Sequence, residues 1–136
     1  MRSIYVILIA LMTTCGAYSK DILTNSKVYN ARVTFYSNDG KWGSKVADTK
    51  TTRAKEGVTV AAHPDFKFGT KVYIPELKHK FDDGVFIVQD RGAAVTKKRA
   101  SRGRAYVFDI YVRTHSKVRF CARSNSEYMQ IYMIKE

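Results

Sequence analysis

Two aspartates stand in parts of the sequence that are otherwise apolar. Asp90 follows the apolar residues 85–88, where a buried strand meets a turn, and Asp109 lies within the apolar stretch 106–112. An isolated carboxylate in such a stretch is costly unless it is paired, hydrogen-bonded or protonated. For a single acid of this kind we favour a structural role, in which the carboxylate accepts hydrogen bonds that stabilise the fold. If two of them share one cleft, desolvation and mutual repulsion raise one pKa, which produces an acid that can protonate a leaving group.

One histidine and one cysteine are the other candidates for chemistry. His63 ends an apolar stretch, and a lone histidine in that position is more often a satisfied core or surface residue than a ligand. His79 and His115 do not stand at ligand-like spacing from it, so we predict no metal and no other cofactor. Cys121 is predicted to be a small buried apolar side chain beside Val118 and Phe120, because no activating base can be placed next to it.

The elements that must position these residues are short strands, so the sequence predicts an all-β domain. Short apolar stretches alternate with polar turns, without a long helical periodicity. The strands are predicted at residues 28–36, 58–62, 70–74, 85–89, 106–112 and 128–134. Six strands suit a small barrel. Thr114 is predicted to cap one short helix that carries Val118 and Cys121 on one face, and residues 93–105 are predicted to be a loop.

The composition and the first residues indicate a basic, exported protein with one domain. The 136 residues are 45% apolar and 12% aromatic, which excludes disorder and suits one compact domain. Arg2, the apolar run 4–12 and the small residues Ala17 and Ser19 are typical of a signal peptide over residues 1–19. Cleavage after Ser19 would leave residues 20–136 as a secreted or periplasmic domain, and a lipoprotein leader ending at Cys15 is the less favoured alternative. The net charge of +12 would suggest nucleic acid in a cytosolic protein, but export argues against DNA or RNA.

Four motifs, in order along the chain, resemble a known family. They are GVTVAAHP at 57–64, FGTKVYIP at 68–75, VQDRGAA at 88–94 and FDIYV at 108–112. This set resembles the 3D domain, named for three aspartates, of lytic transglycosylase A and the stationary-phase muralytic enzymes. It is also similar to the double-psi β-barrel of rare lipoprotein A and the expansins. The resemblance implies a six-stranded double-psi β-barrel and a peptidoglycan lytic transglycosylase that cleaves the MurNAc-GlcNAc glycan strand.

The resemblance also implies roles for the candidate residues. Asp90 matches the aspartate that opens the family's DxGGA-like motif, and Asp109 matches the aspartate of its last motif. The family's first aspartate falls on His63, where rare lipoprotein A also has a histidine. In such lytic enzymes one acid protonates the glycosidic oxygen and then, as a base, helps the sugar's own C6 hydroxyl to close a 1,6-anhydro ring. We expect Asp109 to be this acid and base, with Asp90 tuning it or orienting the sugar, although rare lipoprotein A favours the equivalents of Asp90 and His63.

Further residues are predicted to contact the substrate. Lys71 could bind an anionic lactyl or phosphate group, the alternative being a solvated lysine on a strand. Tyr36 and Trp42 could stack on sugar rings, the alternative being ordinary core packing. Thr52 lies where the family has a Thr-Ala-Ser-Gly turn, of which this chain has only TTRA at 51–54.

An insertion between the two aspartates departs from the family. It contains five cations, namely Lys97, Lys98, Arg99, Arg102 and Arg104. We expect them to hold an exported enzyme near anionic cell-wall polymer or lipid headgroups, the alternative being a solvated, mobile loop.

These departures leave a second function open, a non-catalytic, expansin-like module that binds cell-wall polysaccharide. Binding without cleavage separates it from the enzyme. A pair of aspartates that shares a proton, as in aspartic proteases, is set aside because the sequence following Asp90 or Asp109 does not resemble their Asp-Thr/Ser-Gly loop.

Overall fold

The computed structural model describes residues 26–38 and 53–135, which form one mostly β structure with a short helix. The predicted signal peptide lies outside these residues. The strands are β1 Val28–Tyr36, β2 Thr59–Ala61, β3 Lys71–Tyr73, β4 Val85–Asp90, β5 Val107–Tyr111 and β6 Tyr128–Met133. The helices are α1 Ala93–Thr96 and α2 His115–Ser124, and 3₁₀ turns cover Pro75–Leu77 and Arg99–Ser101. All six predicted strands are confirmed, each end lying within one residue of its expected position.

The six strands form one sheet in the order β1-β5-β2-β4-β3-β6. The sheet closes on itself because β6 also pairs with β1. β1 runs parallel to β5 and β2 runs parallel to β4, whereas the other neighbours are antiparallel. Closure therefore gives the sheet an inner and an outer face.

Alternation along the strands separates the core from the polar side chains. In β1, Ala31, Val33 and Phe35 are buried, whereas the residues between them are half-buried on the outer face. In β5, Phe108 and Ile110 belong to the same core. Asp109 lies between them in sequence and so belongs to the outer face.

The helix α2 begins where the sequence predicts it. The Thr114 side-chain oxygen accepts a hydrogen bond from the Lys117 backbone N–H at 3.2 Å, which satisfies one of the unpaired donors of the first turn. Cys121 is buried as predicted, and burial raises the pKa of its thiol. The neighbouring Phe120 is 64% exposed. In the parts of the chain that the structure describes, neither helix is long and apolar enough to span a bilayer.

Candidate active site

A β-bulge decides the direction in which Asp90 points. Ala61 of β2 lies opposite Asp90 of β4, with a register shift that leaves Gln89 as an extra residue. Val88 is buried, and strict alternation along the strand would therefore also point the side chain of Asp90, two residues later, into the core. The extra residue Gln89 shifts the alternation by one position, as bulges do. Asp90 therefore lies on the outer face, where its carboxylate accepts a hydrogen bond from the Tyr36 hydroxyl.

The two aspartates lie on either side of Ala61. Ala61 is opposite Asp90 in the β2–β4 pair and opposite Asp109 in the β2–β5 pair. Thr34 of β1 lies opposite Asp109 on the next strand. These four residues therefore form one rung across the outer face, which we call the acid rung. Two interstrand spacings, roughly 10 Å, separate the backbones of its two acids.

Asp109 has the electrostatic environment of a proton donor. Its Oδ1 accepts a hydrogen bond from the Thr34 hydroxyl at 2.8 Å. The pKa of Asp109 is raised to about 6, chiefly by burial; the hydrogen bond from Thr34 opposes this rise, and the negative charge of Asp90 adds to it. The raised pKa expected from the apolar strand is thus confirmed, and it lies close enough to neutrality for both protonation states to be used.

Asp90 accepts hydrogen bonds on both carboxylate oxygens. The Tyr36 hydroxyl donates to Oδ2 at 2.9 Å, and the Arg91 backbone N–H donates to Oδ1 at 2.9 Å. Burial and the charge of Asp90 raise the pKa of Tyr36, so this tyrosine stays a phenol that donates. The Arg91 guanidinium donates to the carbonyls of Ala62 at 3.1 Å and Phe66 at 2.7 Å. It thereby ties the loop after β2 to the end of β4.

His63 belongs to a neighbouring cluster. Its Nδ1 lies 3.1 Å from the Asp65 backbone nitrogen and 3.4 Å from the Asp65 carboxylate. Because the backbone N–H is a donor, we assign Nδ1 as the acceptor and place the ring proton on Nε2. The ring lies 5.4 Å from that of Tyr106, whose hydroxyl donates to the Asp65 carboxylate. A backbone bond from Ala62 N–H to the Asp90 carbonyl, 3.3 Å long, connects this loop with the acid rung.

The predicted substrate contacts have different outcomes. Tyr36 is beside the acid rung, where it donates to Asp90. Lys71 is exposed on β3 opposite Ile87, so it is not part of the acid rung. Trp42 and Thr52 lie outside the described residues.

The cation-rich insertion borders the acid rung. Val95 of α1 is buried in a small cluster with Ala61 and Val107, against which Tyr36 packs. Residues 93–105, predicted to be a loop, thus contain α1 and the 3₁₀ turn Arg99–Ser101. A four-residue helix is too short to produce a periodicity in the sequence, which explains why the prediction missed it.

Sequence reasoning missed Thr34. The signal that could have found it is the alternation in β1, where Arg32, Thr34 and Tyr36 are the polar positions between buried residues. The pairing with Asp109 itself joins residues 75 positions apart and leaves no local trace.

The site contains no group of metal ligands. In residues 26–38 and 53–135, no three His, Cys, Asp or Glu side chains lie in a group that could hold a metal ion. Compared with known families and with curated proteins, the chain matches no family model and no curated protein. The resemblance to the 3D domain therefore rests on the four motifs alone.

Proposed function

We propose that the protein is an exported lytic transglycosylase that cleaves the glycan strand of peptidoglycan, with Asp109 as its acid and base. The observation that carries the proposal is the half-buried Asp109, whose pKa is raised to about 6, on one rung with a second carboxylate. The motif resemblance names the substrate class. A site with one tuned carboxyl group fits a reaction that requires only one.

The proposed reaction uses the carboxyl group of Asp109 twice, first as an acid and then as a base. Protonated Asp109 donates to the glycosidic oxygen, the bond from that oxygen to the anomeric carbon breaks, and the leaving sugar departs with a new hydroxyl. The Asp109 carboxylate then takes the proton of the C6 hydroxyl, whose oxygen bonds to the anomeric carbon and closes the 1,6-anhydro ring. The acid is regenerated and no water is consumed. Asp90, held by Tyr36 and Arg91, provides negative charge that stabilises the positive charge developing on the sugar ring.

We also propose that the closed sheet is a double-psi β-barrel. Its support is the presence of six strands with two parallel pairs, β1–β5 and β2–β4, in one sheet that closes on itself. This architecture is the one that the motif resemblance implies.

One observation favours the alternative, a non-catalytic wall-binding module. His63 occupies the position of the family's first aspartate, and its ring contacts are with Asp65 and Tyr106. If the family chemistry depends on that position, the acid rung would bind glycan without cleaving it.

Mass spectrometry of the products released from purified peptidoglycan tests the proposal. The wild type is compared with Asp109→Asn and Asp90→Asn. Asp82→Asn is the matched control, because Asp82 is an exposed aspartate at φ 49°, a conformation that asparagine tolerates. We expect 1,6-anhydro products from the wild type and the control, and none from Asp109→Asn.

The other outcomes separate the alternatives. Intact glycan with protein retained on the pellet would favour the binding module. Products with reducing ends would mean that water is the nucleophile and would overturn the transglycosylase mechanism. An active Asp109→Asn beside an inactive Asp90→Asn would assign the acid to Asp90.

A further inference from the structure

The insertion presents a group of exposed cations. In the described part of the chain, no acid forms an ion pair with Lys97, Arg99, Arg102 or Arg104, all of which are exposed. We call these four side chains the basic surface. The fifth cation, Lys98, is engaged elsewhere, since its Nζ lies 4.3 Å from the centre of the Tyr106 ring.

The backbone under the basic surface is held in place. Ser101 is 3% exposed, and its hydroxyl lies 3.0 Å from the Lys98 carbonyl and accepts from the Ala105 N–H at 3.2 Å. The Gly103 N–H also donates to the Lys98 carbonyl, at 3.0 Å. With Val95 as an apolar anchor, the segment is a fixed platform, so its cations lose less conformational freedom when they bind an anion.

Two cations of the segment stand where a glycine would be favoured. Lys98 has φ 50° and Arg102 has φ 54°, in the left-handed region that side chains with a Cβ disfavour. The neighbouring Gly103, at φ 79°, is the residue type that such positions favour. Arg102 therefore places a charge on the surface at a cost to stability, and backbone strain of this kind is concentrated at functional sites.

The segment that carries the basic surface packs beside the acid rung. The segment starts directly after Asp90 and Arg91, and Val95 packs on Ala61 between the two acids. None of its cations contributes to lowering the pKa of Asp109, which burial and Asp90 raise. The segment that carries the basic surface therefore packs against the acid rung, and its cations do not lower the pKa of Asp109.

We propose that the basic surface binds carboxylate groups of the glycan strand that lies on the acid rung, so that the preferred substrate is carboxylate-bearing peptidoglycan. This inference rests on the proposed function. A peptidoglycan strand carries its carboxylates on lactyl groups and stem peptides, with neutral sugars between them. It can therefore place a neutral glycosidic bond at Asp109 and a carboxylate at the basic surface, whereas the negative charge of Asp90 repels a polymer that carries a phosphate on every unit.

The test measures binding without cleavage. The Asp109→Asn protein is sedimented with purified insoluble peptidoglycan at 50 and 300 mM salt, alone and with Lys97→Gln and Arg99→Gln added. The matched control adds Arg119→Gln and Arg123→Gln, which remove the same charge from exposed positions on α2. We expect the first pair to weaken binding about fivefold to tenfold at low salt, as two exposed ion pairs would, and to reduce its salt dependence. The control pair should change binding less than twofold.

A second substrate and a second variant sharpen the test. Peptidoglycan whose carboxylates have been amidated should bind equally weakly to the Asp109→Asn protein and to the variant that also carries Lys97→Gln and Arg99→Gln. Arg102→Gly should weaken binding to native peptidoglycan about twofold to threefold while raising the midpoint of thermal unfolding, which excludes misfolding as the cause.

Equal losses from both charge pairs, or undiminished binding to amidated peptidoglycan, would overturn the inference. So would tighter binding to phosphatidylglycerol vesicles or to single-stranded DNA than to peptidoglycan. If wild-type protein releases no products while these binding differences appear, the proposed cleavage fails and the binding surface stands. If products appear and the two charge pairs behave alike, only this inference fails.

Discussion

Replacing Asp109 by asparagine is expected to stabilise the protein at neutral pH. The pKa of Asp109 is raised from its ordinary value of 3.8 to about 6, chiefly by burial. Between these pH values the unfolded chain releases a proton that the folded chain retains. The free energy of unfolding is therefore unaffected by Asp109 below about pH 4, and it falls as the pH rises through about 6. A rise of about two pH units at 1.36 kcal/mol per unit corresponds to about 3 kcal/mol. Asparagine carries no charge and avoids this loss.

Urea unfolding at pH 4 and pH 7.5 measures the effect. At pH 7.5 the free energy of unfolding of Asp109→Asn should exceed that of the wild type by up to about 3 kcal/mol, which raises the urea midpoint by about 1–3 M. Near pH 4 the wild-type carboxyl group is protonated, and the two proteins should be equally stable. The Asp82→Asn variant, which removes an exposed carboxylate, serves as the control.

Two results would refute this reasoning. A variant no more stable than the wild type at pH 7.5 would mean that burial does not penalise the ionised Asp109. A gain of the same size at both pH values would show that the effect comes from packing or from the bond to Thr34 rather than from charge.

Three further substitutions test the packing around the site. Tyr36→Phe removes the hydroxyl that donates to Asp90 and should lower the free energy of unfolding by about 1–3 kcal/mol in urea, because a half-buried carboxylate loses a donor; an unchanged midpoint would contradict this bond. Val95→Ala should cost about 1–3 kcal/mol and speed amide exchange across residues 93–105, since it removes the buried anchor of that segment; unchanged exchange would show that the anchor is elsewhere. Gly84→Ala should destabilise more than Gly69→Ala in thermal unfolding, because both have positive φ but only at Gly84 would a Cβ lie 3.0 Å from backbone atoms; equal losses would show that φ alone matters.

The strands and the start of α2 could be predicted because their signals are local. The alternation of Ala31, Val33 and Phe35 with polar residues shows its period within one strand, and Thr114 marks a helix start by its own side chain. The helix α1 could not be predicted in this way. Its four residues are held by the packing of Val95 on Ala61, a contact between distant parts of the chain.

The sequence was enough to identify the two acids of the candidate site, but it was not enough to predict that they lie on the same face of the sheet. Asp90 and Asp109 are conspicuous because each is an acid beside apolar neighbours, but their sharing a face depends on the extra residue Gln89. With strict alternation Asp90 would point into the core, where an unpaired carboxylate is costly, and only Asp109 would remain on the outer face. The side chain of Gln89 accepts a hydrogen bond from Thr59 at 2.7 Å, on the rung before the acids. The residue that brings the two acids to one face therefore acts through its backbone, and no pattern of side-chain types marks it in the sequence.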